Sequence, residues 1–153
     1  MGAVYFYHLT ESPLDQALPQ LVDRAAGQGW RVLIRGRRMP LLERLDAVLW
    51  QGPPDSFRAH GLAGDHDADQ PILLGVDTPA AGFDCVMSVD GADLTPAEIA
   101  ASKRACVLFD GHDGDALQRA RGQWKALTSA SVAAQYWAQD DGRWIKKAES
   151  GAA

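Results

Sequence analysis

Apolar positions along the chain fall into short unbroken runs, separated by stretches where they recur at helical spacing. Residues 4–9 (VYFYHL) are β-branched, aromatic or aliphatic with no breaker, the mark of a buried strand. Ser12 and Pro13 follow, a serine able to cap a helix and a proline suited to its first position. Leu14, Leu18, Leu21, Val22 and Ala25 then share one face, which predicts a helix down to Gly27, with Pro19 expected to kink or delay it. Gly27, Gln28 and Gly29 stop that helix, because glycine most readily takes the left-handed conformation beyond a last turn. A second strand is predicted over 30–34 (WRVLI) and a basic turn over 35–38. In the helix predicted over 41–50, Leu41, Leu42, Leu45, Val48 and Leu49 line one side, and Gly52, Pro53 and Pro54 end it.

The second half repeats the alternation. Strands are predicted over 72–75, 85–89 and 105–109, a short helix opens at 94–98 with Thr95 as cap, and Asp113 or Asp115 would cap a helix over 116–127. Residues 134–139 and 143–147 flank Asp140-Asp141-Gly142, a hairpin signature, whereas His60 and Leu62 fall in a loop and 64–70 (GDHDADQ) is a polar loop suited to disorder. Strand, helix, strand, helix within the first fifty residues predicts a parallel sheet with right-handed crossovers. The expected fold class is therefore α/β: a three-layer α/β/α arrangement with a largely parallel central sheet, in one domain over 1–148 with a frayed tail at 149–153.

Composition narrows what such a domain can do. With 153 residues, 46% hydrophobic and 23% charged, the chain can bury a core of ordinary size. Its net charge of −5 argues against holding nucleic acid by broad phosphate neutralisation. Cys85 and Cys106 each sit in an apolar run and read as buried thiols of a reducing compartment. The start has no basic leader, Phe6 stands where a myristoylation motif needs Ser or Thr, and no apolar stretch is long enough to span a bilayer. A cytoplasmic protein is expected.

Strand-then-helix patterns invite a nucleotide. Yet the chain has no GxGxxG and no Walker loop, and His-Leu-Thr-Glu-Ser-Pro after the first strand lacks the glycines that let a pyrophosphate approach. The expectation is a nucleotide-binding fold without a phosphate loop and with no cofactor. His66, Asp67 and Asp69, and again His112, Asp113 and Asp115, could suggest a metal, but such runs serve equally as turn and cap residues. His8 and His60 could act as bases, yet neither has a nucleophile or orienting partner at a motif spacing. A small hydrolase built on these groups remains an alternative, as does a direct single-strand binder using Arg35, Arg37, Arg38 and the tail's tryptophans.

Two places suit protein contact. Leu117, Arg121, Trp124 and Thr128 follow at steps of four, three and four and so share a helical face, flanked by Arg119 and Lys125 and beside the small Gly122. Either Trp124 turns into the core and the arginines are solvated, or guanidinium and indole together hold a carboxylate and an apolar ring. Trp50 and Phe57, on either side of the proline stop, either seal the helix end or form a partly exposed patch for a partner.

The order LD-x-x-LW (Leu45 to Trp50), P-x-SF (Pro54 to Phe57) and H-x-LAG (His60 to Gly64) resembles the chi subunit family of bacterial DNA polymerase III. So do Phe6-Tyr7-His8-Leu9, the run from Gly29 to Ile34, and Arg121, Trp124 and Lys125, while residues 136–144 resemble the tail of longer members. The resemblance implies a non-catalytic adaptor of the clamp-loader complex, without metal or cofactor. It implies that Arg121 and Lys125 pair with carboxylates of the acidic, phenylalanine-ended tail of single-stranded DNA-binding protein. Trp124 would be the apolar wall, and Val107 and Phe109 the floor. Several members carry tyrosine where Trp124 stands, so the ring is kept and the hydroxyl lost. Trp50 and Phe57 would meet the psi subunit or a competing helicase-like partner.

Overall fold

A computed structural model of the chain describes residues 3–50, 60–62, 72–76, 78, 80 and 82–150, with Trp50 and 60–62 described as backbone. Eight strands and four helices alternate as β1 (Val4–Leu9), α1 (Leu14–Gly27), β2 (Val32–Gly36), α2 (Met39–Trp50), β3 (His60–Leu62), β4 (Ile72–Val76), β5 (Cys85–Ser88), α3 (Pro96–Ala101), β6 (Arg104–Asp110), α4 (Gly114–Ser129), β7 (Ala134–Asp140) and β8 (Arg143–Ser150). They form one sheet in the order β3-β4-β2-β5-β6-β1-β7-β8, parallel throughout except for the final β7–β8 hairpin.

Both faces are covered, so the inner strands are apolar without interruption, as buried parallel strands are. On one face Leu18, Leu21, Val22 and Ala25 of α1 and Leu42, Leu45 and Leu49 of α2 pack with Ile34, Leu74, Met87 and Leu108. On the other, Ile99 of α3 and Ala120 and Leu127 of α4 pack with Phe6, Leu33, Val86 and Val107. This is the expected three-layer α/β/α arrangement. Cys85 and Cys106 are free and buried. Among the described residues no helix is long and apolar enough to cross a membrane.

Several local expectations shift. Ser12 does not cap α1. Pro13 occupies the N-cap position without a side-chain bond, and the amides of Thr10, Glu11 and Ser12 all donate to Gln139 Oε1, at 3.1, 2.9 and 3.0 Å. The helix runs on through Pro19 and ends at Gly27, with Gly29 at φ 79°. The second strand begins at Val32 rather than Trp30, because the Trp30 amide still bonds Ala25 O at the helix end. Arg35 therefore belongs to β2 and not to a turn. Its guanidinium is buried because Glu98 and the carbonyls of Thr78 and Asp93 take its protons. His60 to Leu62, expected in a loop, pair with β4 as an edge strand. Thr95 and Glu98 form a reciprocal capping box on α3, and Asp113 caps α4 by accepting from the amides of Asp115 and Ala116. Asp141 (φ 52°) and Gly142 (φ 76°) make the two-residue hairpin turn, and β8 continues to Ser150, past the boundary expected at 148.

Candidate functional site

Helix α4 lies across β6 and β7, with Ala120 and Leu127 turned into the core. The periodic face that includes Trp124 is thus the helix flank, and Trp124 is half-buried there. Its indole meets Phe6 of β1 edge-on at 5.3 Å and Tyr136 of β7 edge-on at 5.8 Å. The core-packed and the exposed arrangements both hold in part: the ring packs on Phe6 and Tyr136 yet Trp124 stays partly exposed, and Arg121, about one turn earlier on the helix, is exposed. Lys125 is exposed next along the helix, while the Thr128 hydroxyl returns to Trp124 O at 2.8 Å and is not free to receive a partner.

The aromatic cluster continues beyond Trp124. Tyr136 and His8 share a hydrogen bond of 2.8 Å between the phenol oxygen and Nδ1, and His8 stacks on Phe109 at 5.0 Å and 24°. Phe109 also meets Tyr136 at 5.9 Å. Burial is the main reason that the His8 imidazole titrates below 6.5, and the positive charge of Arg121 adds to it. Burial likewise raises the Tyr136 phenol, and Arg121 opposes that rise. Arg121 therefore acts electrostatically on both partners of this bond. Gly111 makes room for it, since a Cβ there would overlap the His8 ring.

Arg121, Trp124 and Lys125 follow one another along α4, and Phe109 lies buried at 5% exposure beneath His8. Val107 is 2% exposed, and it and Phe109 both border a crevice that Arg119 and Gln123 also line. Gly122 is exposed, and a side chain there would meet nothing within 4 Å, so it shapes no pocket. Phe57 and the side chain of Trp50 lie outside the described residues, as do His66, Asp67, Asp69 and the His60 ring.

The crevice, about 620 Å³, opens where β1 sends its chain to α1 on one face and β6 sends its chain to α4 on the other. That is the position at which doubly wound sheets bind ligands. Here it is internally satisfied. Arg38 pairs with Asp90 at 2.5 Å, while Arg37 Nε and Arg119 Nε donate to Asp90 O and Gly91 O, each at 2.6 Å. Arg35, Arg37 and Arg38 are consequently not a free basic turn. His112 bonds Thr10 O through Nε2, and among the described residues no three His, Cys, Asp or Glu side chains converge as metal ligands.

The sequence pattern marks His8 only as a possible base and does not single out Tyr136. They meet because β1 lies beside β7 with Phe6 opposite Tyr136, and the bonded pair is 128 residues apart, a relation that no local pattern carries. A protein-family model described as DNA polymerase III chi subunit, HolC, matches residues 1–135. None of the curated proteins compared with the chain matches it.

Proposed function

From the premise that this chain belongs to the DNA polymerase III chi subunit family, we propose that it serves replication as an adaptor with no chemistry of its own. One side grips the acidic, phenylalanine-ended tail of single-stranded DNA-binding protein, and another connects to the clamp loader through a psi-like partner. The observation that carries the first half is the half-exposed Trp124 indole beside Arg121, backed by Phe6, Tyr136 and His8. Charge and an apolar ring face lie together there, which is what a terminal phenylalanine and its neighbouring carboxylates require. Arg121 and Lys125 meet the carboxylates, Trp124 forms the apolar wall, and Phe109 supports His8 from below. Val107, buried in the same cluster as Phe109, belongs to the floor with it.

Tethering of this kind raises the local concentration of the polymerase machinery on coated template without a large direct affinity for DNA. The net charge of −5 suits a chain that contacts the coat protein. Isothermal titration of an acidic peptide ending in phenylalanine tests the site. Arg121→Ala or Trp124→Ala should each weaken binding by about 1–3 kcal/mol with the fold intact. Wild-type affinity should fall with salt, since the cations are exposed. Unchanged affinity in both variants removes the assignment. Trp50 and Phe57 would serve the psi-like partner, and a double Trp50→Ala, Phe57→Ala variant that still co-purifies clamp-loader proteins would exclude them.

A further inference from the structure

The opposite face of the sheet carries a second aromatic cluster that tail binding leaves unused. Helices α1 and α2 lie over β6, β2 and β4 on that face, and neither makes a main contact with β7 or β8. Successive residues of a strand point to opposite faces, so Tyr5 and Tyr7 face away from Val4 and Phe6. Tyr7 lies in register with Trp137, and Trp137 with Lys146, while Trp144 pairs with Gln139 on the same side. Trp144 meets Tyr7 edge-on at 5.0 Å, and Tyr5 lies 6.4 Å from Tyr7. The Arg104 guanidinium sits over the Tyr5 ring at 4.5 Å and the Trp30 ring at 5.3 Å. Tyr5, Trp30, Trp137 and Trp144 are all half-buried, so rings and cations together form the surface.

A groove of about 390 Å³ extends this strip beneath the end of α1, between Trp30, Tyr7, Arg104 and the exposed Arg24. The cations beside the rings are Arg24, Arg104 and Lys146. The acid among them is Glu149, already engaged by Lys146 at 3.4 Å and by Gln135 at 3.1 Å. Trp137, Trp144 and Lys146 lie beyond residue 135, the last that the family model matches. The hairpin that completes the strip is outside the matched region.

We propose that this face is a stacking platform for single-stranded nucleic acid. Every nucleotide brings both a π-face and a negative charge, and a sheet surface of alternating rings and cations answers both at once. An acidic peptide brings the charge without a ring at each step, so it uses only half of the surface. The chain's acidic balance makes binding weak and strongly salt-dependent rather than absent. The platform lies on the other side of the sheet from Arg121 and Trp124, so an adaptor seated on a coat-protein tail would have this face free to meet template.

Fluorescence anisotropy of a labelled oligo-dT strand with the full chain at low salt tests the platform. Binding should weaken as salt rises. It should fall roughly five-fold or more in Trp137→Leu, the loss of one stacked base, and more modestly in Lys146→Ala, with a shallower salt slope. Lys146 has 43% of its side chain exposed, so the second variant tests the idea even if the first folds poorly. Arg121→Ala should bind the oligonucleotide as the wild type does, and an acidic tail peptide should not compete. No salt-sensitive binding by the wild type, full binding by both platform variants, or displacement by the peptide would each overturn the proposal. None of these results alters tail-peptide titration at Arg121, so the two ideas fail separately.

Discussion

Glu98→Gln tests the most heavily bonded ion pair described in the fold. Arg35 reaches from β2 to α3, donating to Glu98 Oε1 at 2.9 Å and Oε2 at 2.6 Å, to Thr78 O at 2.8 Å and to Asp93 O at 3.1 Å. The arginine is 8% exposed, and a buried guanidinium that loses its carboxylate keeps its desolvation cost without its partner. The bonds from Arg35 are the largest reason that the Glu98 carboxyl is pushed down from 4.5 to about 2, with those at the Thr95 cap adding to them. That difference corresponds to roughly 3 kcal/mol at most. With a quarter of the Glu98 side chain in water, the usable part is about 2 kcal/mol. The sign follows from the lowered value. The unfolded chain takes up the proton first as pH falls below 4.5, so the contribution is complete above that pH and is lost on the way down to about 2. Urea unfolding should find the variant about 2 kcal/mol less stable than wild type at pH 7, with the two curves converging by about 1–2 kcal/mol between pH 5.5 and 3. Other carboxylates titrate in both proteins and cancel in the comparison. Parallel curves across that range would show that Glu98 carries no acid-linked stability.

Three further substitutions probe the neighbourhood of the proposed tail site. His8 is held below its usual 6.5 by burial and by Arg121, with His112 adding to the effect and Asp110 opposing it. The unfolded state therefore protonates first, and His8 withdraws stability as pH drops from 6.5 towards the folded value. A carboxylate arriving beside Arg121 favours the imidazolium, so tail-peptide affinity should rise as the buffer is taken from neutral to mildly acidic. His8→Leu should flatten both profiles, and identical profiles would remove His8 from the site. Gly111→Ala forces a Cβ into the His8 ring and close to Leu9 O, and should cost about 1–3 kcal/mol by thermal melting while weakening the peptide. Gly122→Ala, with open space around it, should stabilise by about 0.5–1 kcal/mol and leave the peptide unaffected.

Most of the architecture was legible because its signals are local. Residues 4–9 were a strand by composition alone, Thr95 as cap named its helix start, and Asp-Gly after Asp140 named the hairpin turn. What failed depended on partners distant in the chain. Arg35 reads as part of a basic turn until Glu98, Thr78 and Asp93 are seen to surround it. The three residues of β3 have no apolar run and exist as a strand only because β4 offers an edge. Along α4 the spacing identified the face of Trp124. It could not tell that Ala120 and Leu127 take the deepest positions and leave Trp124 on the flank.

The charges along α4 also bear on why an anionic partner would bypass the crevice. Anions are drawn to a helix start by unbonded amides and by the dipole, but the amides of Asp115 and Ala116 already bond the Asp113 carboxylate. Asp110 and Asp115 line the same opening, so a phosphate or carboxylate entering there meets like charge. The arginines across from them are spent on Asp90 and on the carbonyl of Gly91. Two turns further on the balance reverses. Among the described residues Arg121 and Lys125 have no ion-pair partner, and Arg121 acts electrostatically on the His8 imidazole, which favours its neutral form, and on the Tyr136 phenol. An acidic chain moving along the helix is repelled over its first turn and meets its first unpaired cations beside an apolar ring. A crevice at the ligand-binding position of this topology can thus disfavour anions while the flank of the same helix would receive them under the proposed function.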